Sequence, residues 1–185
     1  MRVFKRYFSV TALVIPLLSP AQESDEEYLN WSNKKKLEWA DYKGKPDPNS
    51  DAAASTTTYL GFEYNILNDK FTYKISCQFS KNKSWGLART EYILGHEQGH
   101  FDIAEIFARK LMKKMSEYQF NRSNYRTEID KIYNDILDEK EKMQNQYDDE
   151  TNYSRNKIVQ AGWLKKINVM LAELKSYSGY NQNNP

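Results

Sequence analysis

The chain has only two histidines in 185 residues, and they lie four positions apart in Leu94-Gly95-His96-Glu97-Gln98-Gly99-His100-Phe101. On a helix four residues is just over one turn, so both imidazoles leave the same face and their ring nitrogens can converge on one point. The glutamate between them completes H-E-x-x-H, a pattern in which the histidines bind Zn²⁺ and the glutamate acts on the water beside it. This pattern constrains the fold before any other feature does. It requires a helix through residues 96–100, a second element facing that helix to complete the ligand set, and an opening that brings water to Glu97. Gly95 and Gly99 add to the demand. Each costs a helix about 0.5–1 kcal/mol relative to alanine, so either another element packs closely there or a substrate backbone passes.

Apolar periodicity assigns the surroundings. His96, His100, Ile103, Phe107 and Leu111 follow a 3.6-residue stripe through a helix predicted over 90–118. A second helix, predicted over 124–147, carries Ile129, Ile132, Tyr133, Ile136, Met143 and Tyr147. A third, over 156–176, carries Val159, Trp163, Ile167, Met170 or Leu171, and Leu174. Upstream, residues 36–42, 56–66 and 71–79 read as strands, the last alternating strictly, with Asn68-Asp69 as a turn. The polar stretch 22–36 is expected to form a short helix or an ordered arm. Strands that precede the helices, rather than alternating with them, predict an α+β fold: a small antiparallel sheet followed by a helical region bearing the histidines.

The single cysteine, Cys77, alternates with Phe71, Tyr73, Ile75 and Phe79 and is assigned to the core; alone it forms no internal disulfide. Trp39, Trp85 and Trp163 are likewise assigned to the core or to covering the sheet. The Lys and Glu alternation over 138–142 reads as a solvated helix face.

The first 21 residues have another character. Arg2, Lys5 and Arg6 precede an apolar run over 8–18 that is too short to span a bilayer, and Ser19-Pro20-Ala21 supplies a small-residue cleavage site. The expectation is a signal peptide over 1–21, a single domain over 22–176, a flexible tail over 177–185, and a soluble secreted or periplasmic product. The whole chain carries a formal charge of +2; without residues 1–21, 24 basic face 25 acidic residues, a charge of −1. No basic excess remains for a nucleic-acid partner, and no later stretch is apolar enough to cross a membrane.

With both histidines used, a third ligand must come from an acid, a tyrosine or something weaker. Asp102 lies about 200° around the helix from His100 and Glu105 about 140°, so both point away from the site. Arg109 also lies off the stripe, with ion pairing as its expected role. Counting back from a loop near 119–123 puts an antiparallel second helix level with His96 at about residue 145. Among acids near that level, Glu150 follows Tyr147 by three and is the first choice, Asp148 is the reserve, and Glu139 also lies close to the inward stripe.

Several blocks together carry a wider resemblance: Leu37-Glu38-Trp39, Tyr42-Lys43-Gly44, Ser84-Trp85, the run from His96 to Glu105, and Tyr147-Asp148-Asp149-Glu150-Thr151. They resemble the bacterial secreted proteins grouped as domain of unknown function 922, which are predicted to be Zn-dependent proteases. The resemblance implies a zincin-like domain that acts on a peptide or protein substrate. Members of that group commonly place His-Gly shortly after the Glu-Thr pair, where this chain has Tyr153 and Ser154. A tyrosine hydroxyl can still donate a hydrogen bond to a developing oxyanion, so Tyr153 joins Glu97 as a candidate catalytic residue.

Two functions are consistent with these residues. One is a zinc metallohydrolase, most naturally a peptidase, with metal on His96, His100 and Glu150 and Glu97 as general base. The other is a metal-stabilised envelope binding module that keeps the scaffold without turnover.

Overall fold

A computed structural model describes residues 27–32, 35–68 and 70–181. The expected signal peptide lies outside the described residues. Among the described residues the fold is mixed α+β, with small antiparallel sheets preceding three long helices.

The strictly alternating segment forms β4 (Lys70–Ser80), paired antiparallel along its length with β3 (Thr58–Leu67). A two-residue turn joins Leu67 to Lys70, and Asn68 supplies the left-handed conformation, φ 51°, that such a turn needs. Leu60, Ile75, Cys77 and Phe79 are buried on the face that meets the helices, so Cys77 is a core residue. Ala54–Ser55 (β2) and Trp85–Gly86 (β5) make a separate two-stranded sheet.

The strand expected over 36–42 is not formed. Trp39–Asp41 is a 3-10 helix instead, because the Asp41 carboxylate accepts from the Glu38 backbone N–H at 2.9 Å while the Asp41 N–H reaches the Glu38 carbonyl. A local carboxylate-to-backbone bond of this kind competes with a sheet ladder. The third strand of the larger sheet comes from the polar arm: Tyr28–Asn30 (β1) pairs with β4, giving the order β1-β4-β3.

The motif helix, α1 (Glu91–Glu117), starts at Thr90, whose side chain accepts from the Ile93 N–H. It packs against the large sheet and against both later helices, α2 (Tyr125–Thr151) and α3 (Lys157–Glu173). Every residue from 101 to 109 is buried, so this stretch has no solvated face. α3 begins at Asn156, which caps the Val159 N–H. Within the tail expected to be flexible, residues as far as Asn181 form a 3-10 helix, Lys175–Asn181, because Tyr180 is buried and its hydroxyl bonds to Glu105. No described helix is long and apolar enough to cross a membrane.

Candidate metal centre

His96 and His100 project from the same face of α1 toward α2, as their spacing requires. α2 runs antiparallel and offers its own pair at the same spacing, Gln144 and Asp148. His96 Nε2 and His100 Nε2 each lie 3.1 Å from Asp148 Oδ1 and 3.2 Å from one another. A tetrahedral Zn²⁺ with ligands near 2.0–2.1 Å would hold its ligand atoms about 3.3–3.4 Å apart, close to this triangle. No other group of three His, Cys, Asp or Glu among the described residues converges this way.

The acid that the structure brings to the histidines is Asp148, the reserve candidate, not Glu150. Both flank Tyr147, the fully buried ring of α2, but at about 100° per residue they fall on opposite sides of it. Asp148 is turned toward α1. Glu150 is turned toward α3, where it accepts from Trp163 Nε1 at 2.7 Å and from Gln146. Glu139 is also remote, pairing with Lys110 on the surface. α2 has two helical neighbours, and counting along the chain fixes the level of a residue without saying which neighbour it meets.

The imidazoles are held from behind. Gln144 Oε1 lies 2.6 Å from His100 Nδ1, and Gln144 Nε2 donates to the His100 carbonyl at 3.0 Å. This pair of bonds places a proton on Nδ1 and leaves Nε2 as the atom that could bind a metal. Tyr147 stacks on His96 at 4.5 Å and meets His100 edge-on at 5.0 Å. It can approach because residue 99 is glycine: a Cβ there would come within 2.5 Å of the Tyr147 hydroxyl. Close packing thus accounts for Gly99. Gly95 has nothing within 4 Å of its virtual Cβ, so packing does not account for it. The Gln144 partnership was readable from its four-residue spacing to Asp148, once Asp148 rather than Glu150 was placed at the site.

Charge in the cluster is mutually stabilised. Burial works against ionisation of Asp148, yet hydrogen bonds from His100 and His96 outweigh it and hold the carboxyl well below its usual range. Burial opposes protonation of His100, and Asp148 reverses that, pushing its pKa up. Burial, then the charges of Glu97 and Asp148, keep the Tyr147 phenol protonated.

The cluster opens into a cleft of about 550 Å³. Glu97 lines it at 4% exposure, and its Oε2 has no hydrogen-bond partner. An ionisable oxygen this buried and unpaired is rare in a folded protein and marks a place where water, metal or substrate completes the structure. Residues 52–58, which include β2, also line the cleft, and among the described residues β2 is hydrogen-bonded to β5 along one edge only. Tyr153 lines the same cleft, half-exposed, in a run of three left-handed residues: Asn152, Tyr153 and Ser154. Tyr92 anchors that run by donating to the Ser154 carbonyl at 2.6 Å.

The other polar residues of the motif helix point elsewhere. Asp102 accepts from Trp31 Nε1 and Gln98 and pairs with Lys36, tying the N-terminal arm to α1. Glu105 pairs with Arg109, which also donates to the Leu171 carbonyl. A sequence-family model described as "Bacterial protein of unknown function (DUF922)" matches residues 34–155. No curated protein and no solved structure matches the chain.

Proposed function

The chain belongs to DUF922, a bacterial family of unknown function, and from that premise we propose that it is a zinc-dependent hydrolase of peptide bonds. One observation carries the reading: one atom each of His96, His100 and Asp148 that could ligate a metal converge in an open cleft that Glu97, with its buried, unpartnered Oε2, also lines. Zn²⁺ held there would polarise a carbonyl and bring the pKa of water toward 7.

The chain's own groups do the rest. Glu97 takes a proton from water and delivers it to the leaving nitrogen, a role suited to a carboxylate whose buried Oε2 has no protein donor. Gln144 keeps His100 in one tautomer. The Tyr153 hydroxyl, on a left-handed backbone at the cleft wall, donates to the oxyanion as it develops. A peptide suits the cleft because β2 has an open edge on which an extended backbone can pair. Residues 1–21, read as a signal peptide, would place the activity outside the cytoplasm.

The test is Glu97→Gln in the zinc-loaded protein, assayed against a diverse peptide library. Hydrolysis should fall about 10²–10⁴-fold with zinc content and melting temperature retained. If the unmodified zinc-loaded protein cleaves nothing, the enzyme reading is wrong and a metal-stabilised binding module takes its place.

A further inference from the structure

His100 and His96 are not equally supported. His100 Nδ1 is engaged by Gln144, whereas His96 Nδ1 is buried with no partner. If His96 Nε2 is the ligand atom, its Nδ1 must carry the proton, and a buried donor with no acceptor is costly. Among the described residues one more side chain away from the cleft is orphaned in the same way. Gln160 on α3 is 1% exposed, and its Oε1 has no partner.

The two orphans are complementary and share one layer. Gln160 Nε2 donates to the Tyr92 carbonyl at 3.2 Å, one helical turn before His96, and helical side chains lean back toward that turn. Trp163, three residues after Gln160, packs at 5.5 Å on Tyr147, which also stacks on the His96 ring. A buried donor and a buried acceptor that both neighbour the turn from Tyr92 to His96 suit one water, which satisfies both.

We infer that Gln160 is a positioning residue for His96: its Oε1 receives, through one buried water, the hydrogen bond of the His96 Nδ1–H. Each imidazole is then oriented by a glutamine, His100 directly from α2 and His96 through water from α3. Gln160 lies outside the family-matched residues 34–155, so this support comes from a part of the chain that the family match does not cover.

The inference rests on the metal reading above, and its test separates the two. Zinc affinity is measured by chelator competition on the full chain as unmodified protein, Gln160→Leu and Gln160→Glu. The leucine variant should bind zinc about 10–100-fold more weakly, the usual loss on removing an outer partner of a ligand histidine. The glutamate variant keeps an acceptor oxygen and should retain affinity. In zinc-loaded unmodified protein, ¹⁵N and ¹H NMR should show a slowly exchanging His96 Nδ1–H, which exchanges fast in Gln160→Leu. Equal affinity and equal exchange in unmodified and leucine proteins would overturn the inference while leaving the metal reading intact. Equal weakening in both variants would overturn it too, since the effect would then arise from the lost bond to Tyr92. Failure of the unmodified protein to bind zinc would instead overturn the metal reading, and the inference with it.

Discussion

Two faces of α1 carry charged side chains within the same four turns, and they are built on opposite principles. On one, Asp102, Glu105 and Arg109 are buried with their charged groups engaged: Asp102 by Trp31, Gln98 and Lys36, Glu105 by Arg109 and Tyr180. On the other, His96 Nδ1 and Glu97 Oε2 are buried without partners, and three ligand atoms crowd one point. A satisfied buried network fixes structure, and it does so here by clamping both the N-terminal arm and the C-terminal 3-10 helix onto α1. An unsatisfied one has been left incomplete at the expense of stability, and its residues His96, Glu97 and His100 line a cleft with Asp148. Composition does not tell these faces apart; satisfaction does.

The largest effect should come from breaking the satisfied face. Arg109→Met leaves the Glu105 carboxylate buried without its cation and should destabilise the fold by about 3–5 kcal/mol, read by urea unfolding. Zinc affinity of the protein that remains folded should not change. Coupled loss of zinc would mean that the two faces are not independent.

On the open face, Asp148→Ala should weaken zinc binding by more than the roughly 10–100-fold expected of an outer partner, whereas Glu150→Ala should leave it nearly unchanged because Glu150 serves Trp163. Chelator competition on both variants decides this, and the reverse ranking would restore Glu150 to the site.

Metal should also clamp α1 to α2. Zinc at a hundred times its dissociation constant adds about 2.7 kcal/mol by mass action, so a chelator should lower the melting temperature by about 5–10 °C. His100→Ala should show almost no chelator effect. Equal melting of zinc-loaded and chelated protein would show that the metal does not bridge the helices.

The smallest effect separates the two glycines. Gly95→Ala meets open space and should stabilise the helix by about 0.5–1 kcal/mol. Gly99→Ala must displace Tyr147 from its place against the imidazoles, and should lower both stability and zinc affinity. Isothermal titration and thermal melts of the pair would show whether Tyr147 matters to the site or only fills space.

Local chemistry was legible in the sequence wherever period and spacing carry it. The helix through His96 and His100, the alternation of β4 and the burial of Cys77 all follow from side-chain direction along a regular backbone. The residues from 36 to 42 misread as a strand because a single carboxylate bond to the backbone outweighed a weak alternation. Tyr28–Asn30 gave no signal of its own, since a three-residue edge strand is defined by the partner it pairs with.

The helix and its two histidines are thus determined by sequence alone, because spacing on one element needs no knowledge of any other. Which acid meets the histidines, the glutamine beside His100 and the wall of the cleft were decided by tertiary structure. Asp148 and Glu150 are two residues apart with the same charge, and only the placement of α1 and α3 on either side of α2 sends one to the histidines and the other to Trp163.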